Sequence, residues 1–241
     1  MSRARLSSDE ILEQAGKLVD AEGVDALTMR RLAGELGVSP MTLYGHFRTK
    51  EELLNGVADM ILGQLALPAP DPADGVASVL HLAQALRALM QRHPSVVRLW
   101  TSPAFSTSGA LRGGVEAPLA FLRAAGFDGE LTVRLYGAVL TYTLGFTLYQ
   151  LPLPWGGDHP DVAEERRRRR AFYESLPLAE FPNLVALAEP MTTVAGDEQF
   201  EWGLRAMVHD LVPPAPTPRS ARTARRPRPR RNPPDGDTRK K

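Results

Sequence analysis

The chain has 241 residues, 43% of them hydrophobic and 24% charged, with no cysteine. That is enough apolar material for one or two domains with a sizeable core, and it excludes disulfides and thiolate metal sites, in keeping with a reducing cytoplasm. The N-terminus lacks an apolar signal core and no run reaches the roughly 20 apolar residues of a membrane span, so the sequence reads as soluble and cytoplasmic with no membrane partner. The net charge of +1 is unevenly placed: residues 213–241 carry ten Lys/Arg against two Asp/Glu, leaving an acidic body and a basic tail.

Arg3 and Arg5 precede the first helix, either as a basic arm able to reach phosphate or a minor groove or as a frayed, solvated terminus. Ser7 with Glu10 is a capping-box pattern, and Ile11, Leu12, Ala15, Leu18 and Val19 form one apolar stripe ending near Gly23. Thr28 caps a second helix on which Leu32, Ala33 and Leu36 recur at helical spacing before Gly37 stops it. Val38 plugs the angle. Ser39 then caps a third helix with Pro40 at its first position, where a missing N–H is harmless. Leu43 and Phe47, at i and i+4, pack inward and leave Pro40, Met41, Thr42, Tyr44 and His46 outside. Thr49 with Glu52 repeats the capping box and opens a fourth helix, whose N-terminal amides and Lys50 can meet a phosphate.

Pro68, Pro70 and Pro72 end this first unit near Leu67, giving a domain over 1–67. A long helix with a wide apolar face runs from Gly75 to His93, stopped by Pro94. Ser95–Trp100 is a short helix at most, and Pro103–Gly109 is loop. Ala110–Ala125 is helical, kinked by Pro118 and ended at Gly126. Leu131–Leu151 is apolar nearly all round and needs partners on more than one side. After a Pro/Gly loop around 152–160, Asp161–Ser175 is a charged helix with Glu164 facing Arg168 and Glu165 facing Arg169; its arginines 166–170 wrap every face and read as solvated. Leu184–Ala188 is a short helical piece. Asp197–Leu211 is the last helix, with Phe200, Leu204, Met207, Val208 and Leu211 on one side. The second domain thus spans 75–212, and 213–241 is a disordered Pro/Arg-rich tail.

The outer face of the third helix carries groups that suit a groove. Thr42 can bond a phosphate or a base edge, Met41 and Pro40 can touch thymine methyls, and Tyr44 and His46 can reach phosphate oxygens. The two helices match a helix-turn-helix whose second member enters the major groove; an ordinary helical hairpin with solvated polar residues is the alternative. Ala15, Leu18, Gly23, Leu27-Thr28, Leu32-Ala33, Leu36-Gly37-Val38, Thr42-Leu43-Tyr44, His46-Phe47 and Lys50 with Leu53-Leu54 resemble the N-terminal domain of TetR-family transcriptional repressors. The resemblance implies an all-α homodimer with an N-terminal DNA-binding domain and a larger helical ligand-sensing and dimerisation domain, released from a palindromic operator by a small molecule. It also implies that Thr28, Arg30, Ser39 and Lys50 join the DNA-contacting set, and that the helices over 131–151 and 197–211 pair with their copies.

Leu119–Phe127 and Thr143-Leu-Gly145 resemble the sensing domain of tetracycline-type repressors in particular. Carried over residue by residue, the two histidines and the glutamate by which that subgroup holds magnesium and drug fall on Arg98, Thr141 and Tyr149, none a normal magnesium ligand. The magnesium–tetracycline mode is therefore expected to be absent, with no metal and no cofactor. The remaining set, Arg98, Trp100, Thr101, Phe121, Tyr136, Leu140 and Thr141, suits a flat, polar-edged hydrophobic or aromatic effector, although each aromatic taken singly is also an ordinary core residue. The five histidines lack HExxH spacing, no G-x-S-x-G occurs, and Gly109–Gly114 lacks the Lys-Ser/Thr of a phosphate loop, so an enzyme is not expected. The competing reading is a helical ligand-binding or interaction protein whose tail arginines 225, 226, 228, 230 and 231 bind nucleic acid without sequence preference.

Overall fold

The computed structural model describes residues 6–95, 97, 108–153 and 161–212; Arg3, Arg5, Arg98, Trp100, Thr101, loop residues 154–160 and the tail 213–241 lie outside them. The described residues are all-helical, in two packed units joined through one apolar core that runs from Ile11 to Val208.

In the first unit α1 spans Ser8–Glu22, α2 Met29–Leu36, α3 Pro40–Tyr44 and α4 Lys50–Leu62. Both halves of the capping box at Ser7 and Glu10 form: the Ser7 hydroxyl accepts the Glu10 N–H, and the Glu10 carboxylate accepts the Ser7 N–H at 2.7 Å. At Thr49 only half of the expected box forms. Its hydroxyl accepts the Glu52 N–H, but the Glu52 carboxylate reaches one residue further back, to the Arg48 N–H at 2.7 Å. Gly37 takes the left-handed conformation, φ 63°, that closes α2. The third helix is shorter than its apolar spacing implies, ending at Tyr44, so His46 and Phe47 lie in the following turn. Phe47 still packs inward, because its N–H bonds to Leu43 O at 2.9 Å and continues the helical path for one residue.

The second unit opens with α5, Gly75–Arg92, capped by the Asp74 carboxylate on the Ala77 N–H. Gly109, expected in a loop, is helical. Here α6, Ser108–Leu111, runs through a π-helical turn, Arg112–Glu116, into α7, Ala117–Ala124. The kink expected at Pro118 takes this π form: proline has no N–H to bond the Gly114 carbonyl four residues earlier, and the chain inserts an extra residue per turn instead. Gly126, at φ 94°, follows the end of α7, and the Phe127 N–H returns to Leu122 O. Helix α8, Gly129–Gln150, lays Thr132, Leu135, Val139, Thr143, Thr147 and Gln150 along one buried stripe, where it packs on α5.

Helix α9, Val162–Glu174, and the short α10, Pro182–Ala186, and α11, Ala188–Met191, pack on one another. Arg168 meets Glu164 at 3.2 Å as the spacing implies; Glu165 pairs at 2.8 Å with Arg168, and Arg169 lies over the rings of Phe172 and Tyr173. Helix α12, Asp197–Leu211, packs on α5 and α8 through Phe200, Leu204 and Val208, with Leu211 at the exposed end.

A buried arginine fastens this second bundle. Arg87 on α5 donates to Gln150 Oε1 at 3.0 Å and pairs with Asp197, while its guanidinium lies 4.3 Å from the Phe200 ring centre. Charge, amide and ring offset much of the cost of desolvating this cation, although its Nε is buried without a hydrogen-bond partner among the described residues. Gly203 is required beside it, since a Cβ there would sit 2.3 Å from the Tyr142 hydroxyl, which donates to Phe200 O at 2.9 Å.

Candidate nucleic-acid and effector sites

The α2–α3 pair presents its outer face as the sequence arranges it. Leu43 is fully buried and anchors α3, while Met41 is 76% and Tyr44 46% exposed, with Pro40 and Thr42 beside them. Exposing a methionine to that extent forfeits its burial, roughly 1.5–3 kcal/mol. A partner surface would recover it. Ser39 is committed to capping: its hydroxyl accepts the Thr42 N–H at 3.3 Å and lies 3.0 Å from the Thr42 hydroxyl, which pre-orients that side chain. Thr28 is likewise the cap of α2, accepting the Arg31 N–H at 3.1 Å.

The two neighbouring arginines separate cleanly. Arg31 is held by Glu22, with one guanidinium bond at 2.7 Å, and by Glu35 at 3.5 Å; the pairing holds the Glu22 carboxyl below the usual range and the Arg31 guanidinium above its own. Arg30 is exposed, and among the described residues no ion pair engages it. Lys50, at the first position of α4, is half-buried and also outside any such pair. Among the described residues Arg30 and Lys50 are thus cations of the first unit with no ion-pair partner.

His46 has a partner that its sequence position does not reveal. Its Nδ1 lies 3.1 Å from the Ser8 hydroxyl, tying the turn after α3 to the start of α1. With Leu6, Met41, Thr42 and Gly45 it lines a shallow depression beside the exposed face. One imidazole nitrogen is thus used structurally.

Of the effector set, four members are described. Phe121 is buried on α7, Tyr136 and Leu140 are half-buried on α8, and Thr141 lies on the exposed side of α8, away from the α5-facing stripe. Tyr149 is 52% exposed on the same side. The structure therefore brings Phe121, Tyr136 and Leu140 to the inner part of the second unit and leaves Thr141 outside it within one chain. Tyr136 carries a bond that sequence reasoning missed: its hydroxyl donates at 2.9 Å to the Gly114 carbonyl, the one whose α-helical donor Pro118 removes. Burial pushes the Tyr136 phenol up, so it stays a donor at neutral pH.

The π-turn also touches the first unit. A Cβ at Gly113 would lie 2.9 Å from the Leu62 backbone, and one at Gly109 would lie 2.3 Å from the Asp59 carboxylate. Helices α4 and α6 thus meet along a glycine seam that admits no larger residue without displacement. Among the described residues no group of three His, Cys, Asp or Glu side chains is placed to hold a metal ion, and no helix is long and apolar enough to cross a membrane.

Comparison with known proteins agrees with this geometry. A family model described as Tetracyclin repressor-like, C-terminal domain, matches residues 67–211, and one described as Bacterial regulatory proteins, tetR family, matches 11–57. The chain is 32% identical over 215 residues to the HTH-type transcriptional repressor DrrR1 of Streptomyces coeruleorubidus, covering 86% of this chain and 77% of that one. It is 33% identical over 152 residues to the class E tetracycline repressor protein of Escherichia coli, covering 60% and 69%. Among solved structures, ActR of Streptomyces coelicolor in complex with actinorhodin superposes with a TM-score of 0.68 at 31% identity, over 87% of this chain and 96% of that one. With both its helix-turn-helix unit and its larger helical unit matched, the chain belongs to the TetR family of DNA-binding transcriptional regulators.

Proposed function

We propose that the protein is a homodimeric repressor that reads a palindromic operator and is released by a small aromatic or hydrophobic molecule. The observation that carries the reading is the face of α3: Pro40, Met41, Thr42 and Tyr44 exposed on a helix anchored by buried Leu43, in a unit where Arg30 and Lys50 have no ion-pair partner among the described residues. Thr28, Ser39 and His46 complete the contact surface, through their helix caps and through the second imidazole nitrogen of His46. Each recognition helix enters a major groove about one helical turn from its twofold mate.

Dimerisation is supported by apolar surface that one chain leaves open. Leu148 and Tyr149 on α8 and Trp202 on α12 are 46%, 52% and 69% exposed, beside Thr141 and Gly145, which permit close approach of a second helix pair. The effector set remains Phe121, Tyr136, Leu140 and Thr141, together with Arg98, Trp100 and Thr101 as the sequence proposes them. That ActR has been solved in complex with actinorhodin supports a small-molecule effector, and the lack of magnesium-ligand side chains at Arg98, Thr141 and Tyr149 argues against magnesium–tetracycline.

The test starts with selection of bound duplexes from a randomised library, followed by affinity measurements with Thr42→Ala and Tyr44→Ala. Loss of preference for the selected duplex, with residual binding equal to that for scrambled DNA, supports the reading. Unchanged preference in both variants contradicts it and would favour nonspecific binding through the basic tail.

A further inference from the structure

The two units are joined by a polar knot as well as by the glycine seam. Asp20, in the last turn of α1, accepts three hydrogen bonds from the far side of the junction. Its Oδ1 takes the Ser95 N–H at 3.1 Å and the Ser95 hydroxyl at 2.5 Å, and its Oδ2 faces His93 Nδ1 at 2.8 Å. The other imidazole nitrogen of His93 lies 3.2 Å from Gln64 Oε1, in the turn after α4. Three segments therefore converge on one imidazole and one carboxylate: the end of α1, the end of α4 and the end of α5.

Local sequence explains why the donors converge. Pro94 forces His93 out of helical conformation, to φ −129° and ψ 76°, ending α5 and turning the His93 ring and the Ser95 amide to the same side. Ser95 is 4% exposed, and the Asp20 and His93 side chains are 19% and 22% exposed, so the bonds are shielded without being sealed. Val19, Asp20, Glu22, Gly23, Val24, Pro94 and Ser95 line a solvent groove beside the knot, from which water can replace any bond that is broken.

The two kinds of contact do different work. Close van der Waals packing of α4 against Gly109 and Gly113 is non-directional and resists separation, whereas hydrogen bonds to a carboxylate fix an angle. We propose that Asp20 and His93 are positioning residues for operator recognition: they set the orientation of the helix-turn-helix unit on the sensing unit, and through it the separation of the two recognition helices. The last clause rests on the dimeric operator reading; the orientation itself does not.

The chain has no cysteine, so two labels can be placed at will. Gly34, where a Cβ meets nothing within 4 Å, and exposed Ala124 on α7 report one distance between the units. Full-length Gly34→Cys/Ala124→Cys protein, spin-labelled and diluted into unlabelled protein so that only the intrachain distance is read, should give one narrow distance distribution. Adding Asp20→Asn or His93→Ala should broaden it at least about twofold with helix content retained, and Ser95→Ala should fall between. Widths unchanged in both Asp20→Asn and His93→Ala overturn the proposal; if Asp20→Asn fails to fold, His93→Ala decides. Half-site spacing is then varied by one base pair in the selected duplex. A wild-type preference of about tenfold for one spacing should shrink to within about threefold in the variants. A wild-type protein with no spacing preference would sink the dimeric operator reading, while the intrachain distance would still judge the knot.

Discussion

Replacing Tyr136 by Phe tests the internal logic of the π-turn. The Gly114 carbonyl loses its α-helical donor to Pro118 and takes the Tyr136 hydroxyl at 2.9 Å instead. Deleting the hydroxyl withdraws a hydrogen bond worth about 1 kcal/mol net, and more where water cannot reach the stranded carbonyl. Tyr136 is half-buried, so we expect a loss of about 1–2 kcal/mol, which in a chain of this size lowers Tm by roughly 2–8 °C. The informative comparison is a double-mutant cycle with Pro118→Ala. Alanine supplies the missing N–H, the α-helical bond to Gly114 becomes available, and the hydroxyl becomes redundant. In the Pro118→Ala background, Tyr136→Phe should then cost under about 0.5 kcal/mol, giving a coupling energy near 1 kcal/mol by urea unfolding. Equal costs in the two backgrounds would refute the idea that proline and tyrosine act on the same carbonyl.

Arg30→Ala and Lys50→Ala should each reduce the slope of log affinity against log salt by about one, with Arg31→Ala leaving it unchanged because Glu22 and Glu35 already hold Arg31; fluorescence anisotropy over a salt series reads this. Gly113→Ala places a methyl 2.9 Å from the Leu62 backbone, which cannot yield as a side-chain tip can, and should destabilise by about 1–3 kcal/mol in urea unfolding. Glu22 is held below the ordinary carboxyl value of 4.5 by Arg31, so its contribution is present above that value and is lost as pH falls through the lowered one. The Tm difference between wild type and Glu22→Gln should therefore be present near neutral pH and shrink progressively as the pH is taken below 4.5.

Much of the first unit is legible in the sequence because its signals are local. Caps at Ser7, Thr28, Ser39 and Thr49 and the glycine at 37 act within a few residues of themselves, and the helices begin and end accordingly. Where reading failed, the deciding partner was distant in the chain. Glu52 chose the Arg48 amide over the Thr49 amide, and the imidazole of His46 met Ser8 across 38 residues. The π-turn follows the same pattern: Pro118 announces a disturbance, but only Tyr136, on another helix, supplies the donor that accommodates it. Nothing in the spacing of Asp20, Gln64, His93 and Ser95 announces that they meet. In the effector half, α8 is apolar on most faces, so its sequence cannot tell the stripe that packs on α5 from the side carrying Thr141 and Tyr149; tertiary contact made that choice.

The most direct test of the central claim is equilibrium binding of the full chain to its selected duplex and to a scrambled duplex of the same composition, near physiological salt. Sequence reading by α3 predicts a preference of about a hundredfold or more, lost on addition of a flat, polar-edged aromatic effector and absent in Thr42→Ala/Tyr44→Ala. Equal affinity for the two duplexes, with a salt slope that falls when residues 213–241 are removed, would contradict it and assign DNA binding to the tail.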